Sequence, residues 1–154
     1  MTIISGNITS QGSQFNRFIA RGDTILFYSA IYIEPDGTVF TVPVTVPKIM
    51  IPDNAVAYDL TNNRIIFTLK KSITDQDNQA VAQVDNKLLG GITVLFPLLG
   101  SFSVLVQPSK TTALPNNPTT PLAFDIKIID PGGKVSTVET GTFTVVQNCT
   151  QIFA

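Results

Sequence analysis

Ala123-Phe-Asp-Ile-Lys-Ile-Ile-Asp-Pro-Gly-Gly-Lys-Val-Ser-Thr-Val-Glu-Thr-Gly-Thr-Phe-Thr-Val-Val146 decides the fold. Its first half alternates. Phe124, Ile126 and Ile128 fall on one side of an extended chain, and Asp125 and Lys127 on the other. A period of two is the signature of a strand with one face buried. Asp130-Pro-Gly-Gly-Lys134 then reverses the chain, because Pro presets φ and Gly is free to take positive φ. The return runs over Lys134–Val138 and Thr142–Val146, with Gly141 expected to break it before Phe143 and Val145 resume the alternation. The stretch reads as an antiparallel hairpin.

The same grammar extends towards the amino terminus. Thr24–Ile33 is rich in β-branched and aromatic residues. Val39–Val46 alternates, and Pro43 places it at an edge or a bulge. Arg64–Lys70, Ile92–Phe96, Ser101–Gln107 and Leu122–Ile129 read as further strands. Glu34-Pro-Asp-Gly-Thr38 and Thr61-Asn-Asn63 supply turns, and Gly90-Gly91 a bend. Asp75–Asn86 lacks a sustained apolar stripe and reads as a loop with a short strand. About eight to ten short strands punctuated in this way predict an all-β antiparallel sandwich. The expected core is Ile25, Phe27, Ile31, Ile66, Phe67, Leu69, Val94, Phe96, Val104, Phe124, Ile126, Ile128 and Phe143. The run Ile65-Ile66-Phe67 leaves its own register open.

Two segments fall outside this pattern. The polar, Ser/Gln/Asn-rich start reads as an extended N-terminal arm over residues 1–20, leaving 21–154 as the sandwich domain. Pro108–Pro121 holds four prolines and reads as a long Pro-rich contact loop without regular structure. The apolar residues of both segments, Ile3, Ile4, Ile8, Phe15, Phe18, Leu114, Pro115 and Pro118, are the expected partner contacts.

Composition narrows the chemistry. Charged residues make up 14% of the 154, against roughly 25% in an ordinary soluble domain. A surface so poor in charge points to burial against partners. Net charge is −1, the pI is about 5.2, and Lys70-Lys71 is the one adjacent basic pair, so no nucleic-acid partner is expected. No apolar run approaches the ~20 residues of a membrane helix, and Met1–Gly6 lacks the basic and apolar regions of a signal peptide. There is no His, which removes the commonest general base and zinc ligand, and the single Cys149 cannot form an internal disulfide. Asp75-Gln-Asp-Asn78 lacks the glycine and distal Glu of a calcium loop. Arg21-Gly-Asp23 reads as a turn into the next strand rather than an adhesion motif. No enzyme activity, cofactor or metal is expected.

Four stretches in order carry a resemblance: Arg21-Gly-Asp-Thr-Ile-Leu-Phe27, Tyr58-Asp-Leu-Thr-Asn-Asn-Arg-Ile-Ile-Phe-Thr-Leu-Lys-Lys-Ser72, Asp75-Gln-Asp-Asn-Gln-Ala80, and the closing hairpin Ala123–Val146 with Cys149-Thr150. Together they resemble the Ig-like amino-terminal domain of tailed-phage baseplate upper proteins, over most of Arg21–Thr150. The hairpin is the most specific part. The resemblance implies a single Ig-like β-sandwich and a virion component, assembled in the host cytoplasm, whose partners are other virion proteins and copies of itself, a trimer among the options. The chain ends at Ala154, so the expectation is an adaptor in the tail, baseplate or fibre-attachment region rather than a receptor-binding head. Capsid decoration is the alternative. A carbohydrate- or cell-binding module is a third, for which Phe15 and Phe18 are the nearest exposed-aromatic candidates.

Overall fold

Strands form where the period-two segments lie, and the turns between them are built as their sequences require. The computed structural model describes residues 13–20, 23–43, 53–72, 74, 76, 79–111 and 121–146, with 13–20 and 145–146 described by their strand pairing. The strands among them are β1 (Ser13–Ala20), β2 (Ile25–Ile33), β3 (Val39–Pro43), β4 (Val56–Ala57), β5 (Arg64–Lys70), β6 (Ala82–Asp85), β7 (Ile92–Phe96), β8 (Ser101–Val106), β9 (Pro121–Ile129) and β10 (Val135–Val146). The first sheet runs β1-β10-β9-β5-β6; the second runs β3-β2-β8-β7, with β4 added to β2. Every one of these pairings is antiparallel except β1 with β10. The order β10-β9-β5-β6 is the G-F-C-C′ order of an immunoglobulin sandwich, and β2-β8-β7 its B-E-D order. The chain is an Ig-like β-sandwich in which β3 lies outside β2.

The two Pro–Gly turns are one device used twice. In Glu34–Thr38 the Gly37 amide donates to the Glu34 carbonyl at 2.9 Å, and the Asp36 carboxylate accepts from the Thr38 amide at 2.9 Å. In Asp130–Lys134 the Gly133 amide donates to the Asp130 carbonyl at 2.9 Å, and the Asp130 carboxylate accepts from the Lys134 amide at 2.8 Å. Gly37 and Gly133 both take φ of +91°, where a side chain would be strained.

The core lies between the sheets. Phe67 of β5 is its hub, with ring centroids 5.8 Å from Phe124, 6.0 Å from Phe143 and 5.9 Å from Phe27 of the opposite sheet. Ile25, Ile31, Leu69, Val104, Ile126 and Ile128 are buried around it as expected, and Phe27 and Val94 pack against it half-buried. Gly100 closes one end. Its φ is +69°, and a Cβ there would overlap the Ile31 carbonyl.

Several expectations are corrected. Ile65 is buried and Ile66 faces outward opposite Lys127, so the inward set of β5 is Ile65, Phe67 and Leu69. Phe96 is 62% exposed: the register slips between Val94 and Phe96, and the extra residue, Leu95, turns Phe96 out of the core. Gly141 does not break the last strand, because β10 is paired on both sides, with β9 and β1. The irregularity falls instead at Val138, between Thr137 and Glu139, and both Val138 and Glu139 are buried there. Pro108–Thr111 is a helical turn and Pro121 opens β9, so the ends of the Pro-rich segment are regular. Proline is tolerated at both places because the first helical residue needs no amide and a strand can begin without one. Finally, Ser13–Ala20, inside the expected arm, is a strand of the first sheet in parallel register with Glu139–Val146. Such an edge strand is held by backbone pairing, which its polar sequence does not advertise.

Candidate functional site

The two sheets share one core but differ on their outer faces. The first sheet's strands carry Arg17, Arg64, Lys70, Asp85, Asp125, Lys127 and Glu139. Outward residues there pair in polar fashion: Gln83 Nε2 donates to Thr68 Oγ1 at 3.0 Å, and Thr68 stands opposite Asp125. No strand of the second sheet carries a charged residue.

Strand parity shows what the second sheet presents. Ile25, Phe27 and Ile31 of β2 point inward, so Leu26, Tyr28, Ala30 and Tyr32 lie on the opposite face, where Leu26 and Tyr28 stand exposed and Ala30 and Tyr32 are buried. Register extends this into rows across the sheet. Leu26 is opposite Leu105, whose amide donates to the Gly91 carbonyl at 2.7 Å. Tyr28 is opposite Ser103, and Ser103 opposite Thr93. Ala30 is opposite Ser101, and Ser101 opposite Phe96. On the β3 side the Tyr32 ring stacks on Phe40, centroids 5.6 Å apart, and burial, then the Glu34 charge, push the Tyr32 phenol up to about 12.

Leu26 and Tyr28 are about half exposed and Phe96 more so. The 3-10 turn Pro97–Leu99 prolongs the apolar surface with exposed Leu98 and Leu99, and the β6–β7 connection adds exposed Leu88 and Leu89. Natural surfaces scatter such residues singly; a contiguous uncharged set marks a contact region.

The Leu88–Leu89 loop is held from the first sheet. The Asp85 carboxylate is fully buried and receives the Lys87, Leu88 and Leu89 amides at 3.1, 2.8 and 2.6 Å on Oδ1. Arg64 donates to Oδ2 from Nε at 2.8 Å and reaches it with Nη2 at 2.7 Å. Burial alone would raise this carboxyl; the Leu89 amide, the Arg64 guanidinium and the Lys87 and Leu88 amides outweigh it and hold the group down to about 2. The second buried acid, Glu139, accepts from Thr41 Oγ1 of β3 at 2.8 Å and so ties the sheets together. Both acids do structural work where they stand. Among the described residues no group of three or more acids, Cys or His could hold a metal, and no helix is long and apolar enough to cross a membrane.

Of the contacts expected from sequence, Phe15 and Phe18 lie on β1, in register with Gly141 and Thr144 of the first sheet. Ile3, Ile4, Ile8, Leu114, Pro115 and Pro118, like Arg21-Gly22 and Cys149, fall outside the described residues. The second sheet's outer face is not among the expected contacts. Its signal is nonetheless present in the sequence: no charged residue occurs from Leu88 to Ser109, or from Thr24 to Ile33.

No protein-family model and no curated protein matches the chain. Among solved structures it is similar to extracellular domains 3–5 of Drosophila OTK, with 13% identity and a TM-score of 0.29 over 92% of this chain. The match spans 34% of that structure. A likeness this distant bears no functional argument.

Proposed function

We propose that the chain is a non-enzymatic structural subunit that works by being built into a larger assembly through its surfaces. The observation that supports this reading is the uncharged outer face of the second sheet, on which Leu26, Tyr28 and Phe96 stand exposed together. Surface of this kind is costly to leave in water, and covering it stabilises an assembly by roughly 25 cal/mol per Å² of apolar area. The resemblance of Arg21–Thr150 to phage baseplate Ig-like domains supplies the setting: a tailed-phage virion, at the tail, baseplate or fibre attachment.

The test is co-sedimentation. Tagged chain is added to tailed-phage particles purified from the host that carries its gene, and the pellet is washed with rising NaCl. Because the contact face holds no charges, salt has little to screen. The chain should stay with the particles at about 1 M NaCl, well beyond where ionic contacts are screened. Absence from the particles, or release by a few hundred millimolar salt (roughly the range in which the Debye length drops below 8 Å), would refute the reading.

A further inference from the structure

We infer that the turn Lys87-Leu88-Leu89 is the anchor that fastens the chain to an assembly neighbour, with both leucines seated in an apolar socket of that protein and the Lys87 amine against a carboxylate at the socket's lip. This rests on the reading of the chain as an assembly subunit and names the contact and the chemistry of its partner.

The turn is built on side chains rather than on a strand ladder. β6 ends at Asp85, and the backbone then leaves the sheet. Asn86 fills the place it vacates. Its Oδ1 accepts from the Ile65 amide at 2.7 Å and its Nδ2 donates to the Asn63 carbonyl at 3.0 Å, so the side-chain amide stands in for a peptide beside β5. Asp85 Oδ1 gathers the Lys87, Leu88 and Leu89 amides from beneath, and Arg64 pairs with the other carboxylate oxygen. The Asp85 amide donates to the Gly90 carbonyl at 3.0 Å, and a bridge between Asp85 and Gly91 closes the base. The three amides of the apex are therefore all bonded inward.

What this framework presents is apolar. Leu88 is 79% exposed and Leu89 55%. A turn that only joins two strands is served by polar residues and glycine at its apex. Here a buried carboxylate, a guanidinium and an Asn side chain fix the shape that holds two leucines in water. A loop ordered in the free chain pays no ordering cost when it binds, which is how a protruding anchor gains affinity.

Charge describes the socket's lip. Lys87 is exposed and makes no ion pair among the described residues. No charged residue follows it before Lys110. Its amine stands at the border of an uncharged stretch, and a carboxylate on the neighbour complements it. A bilayer fits less well, because anionic lipid recruits clusters of basic residues and this turn has one.

The test adds tagged full-length variants to the tailed-phage particles of the co-sedimentation experiment over a concentration series. Leu88→Asp and Leu89→Asp should each weaken binding at least ~10-fold, since a charge is costly in an apolar socket. Val135→Asp changes a residue of the β9–β10 hairpin that is 56% exposed, and should bind as wild type does. Lys87→Glu should weaken binding at low salt and not at about 1 M NaCl, where the pair is screened. Asp85→Asn tests a positioning residue that touches no partner. At a temperature where circular dichroism shows it folded, it should weaken binding of the otherwise wild-type chain and add nothing in a Leu88→Asp background. A loss of structure alone would lower both alike.

Leucine variants that bind like wild type overturn the inference and leave the assembly reading standing. So does an equal loss in Val135→Asp, which would make the effect one of added charge anywhere on the surface. Pelleting with vesicles of phosphatidylcholine and phosphatidylglycerol that depends on Leu88 would make the turn a membrane anchor and overturn it too. If wild type itself does not bind the particles, the assembly reading falls and the inference falls with it.

Discussion

The first sheet keeps its polar groups satisfied, and the second does largely without them. In the first, Asp85 collects three amides and a guanidinium, and Thr68 is bonded by Gln83. In the second, no strand is charged, and the buried Ser29 hydroxyl finds no hydrogen-bond partner among the described residues. Both sheets contribute buried apolar residues to the one core around Phe67. The difference therefore lies in what each sheet shows outward. A sheet finished with Lys, Asp and Thr is suited to water. A sheet finished with Leu, Tyr, Phe and Ser is suited to contact.

The sharpest way to break the comparison is to truncate one phenylalanine on each side of it. Phe67→Ala removes the hub of the core and should cost about 3–5 kcal/mol. Phe96→Ala removes a ring that is 62% exposed, and at concentrations that keep the chain monomeric it should cost no more than about 0.5 kcal/mol. Urea denaturation of both variants measures this. Equal losses would show that the outer face of the second sheet is as enclosed as the core.

The charged side of the comparison can be titrated. Asp85 has a folded value of about 2 against an ordinary 3.8, so between those values the unfolded chain binds the proton and the folded one does not. Its contribution is fully present above roughly pH 4–5 and is lost as pH falls towards 2. Wild type should lose urea resistance across that window. Asp85→Asn should be less stable at pH 7 by about 1–3 kcal/mol and show a flatter profile below pH 4. Arg64→Leu should weaken the protein at neutral pH by a similar amount, since it strips a buried carboxylate of its cation, but the three amides keep some acid dependence. Identical acid profiles for wild type and Asp85→Asn would remove the assigned role.

How much of this is readable from the residues depends on periodicity. The Phe124–Ile126–Ile128 alternation and the Pro–Gly turns are local, and the hairpin they predict is present with the expected inward face. Period two fails at the two bulges. Strict alternation would send Phe96 inward after Ile92 and Val94, but one extra residue at Leu95 reverses it, and nothing in Thr93–Phe96 announces the slip. Val138 conceals the second in the same way, because Val135-Ser-Thr-Val138 fits a strand in either parity. Ser13–Ala20 reads as arm because an edge strand paired through its backbone needs no apolar alternation. The contact face escapes for a different reason. Apolar residues on both sides of a strand look like core until the register separates them, so Leu26 and Tyr28 become visible as surface once Phe27 has a side. The absence of charge from Leu88 to Ser109 is legible throughout; what it means depends on the sheet pairing.

The smallest prediction tests the contrast with hydroxyls alone. Ser29 is 1% exposed on β2, between Pro43 and Phe102, and its Oγ makes no hydrogen bond among the described residues. Burying a hydroxyl without a partner costs about 1–3 kcal/mol, while deleting its one oxygen leaves a void too small to cost as much. Ser29→Ala should therefore be neutral or stabilising by up to about 1 kcal/mol, a rise in Tm of roughly 2–4 °C. Thr68 in the first sheet is also buried, but its Oγ1 accepts from Gln83 Nε2. Thr68→Val keeps the shape and removes the acceptor, so it should destabilise by about 0.5–1.5 kcal/mol. The opposite signs are what the comparison requires. If Ser29→Ala also lowered Tm, the Ser29 hydroxyl would have a partner in the folded chain, and the second sheet would be more polar within than its strands suggest.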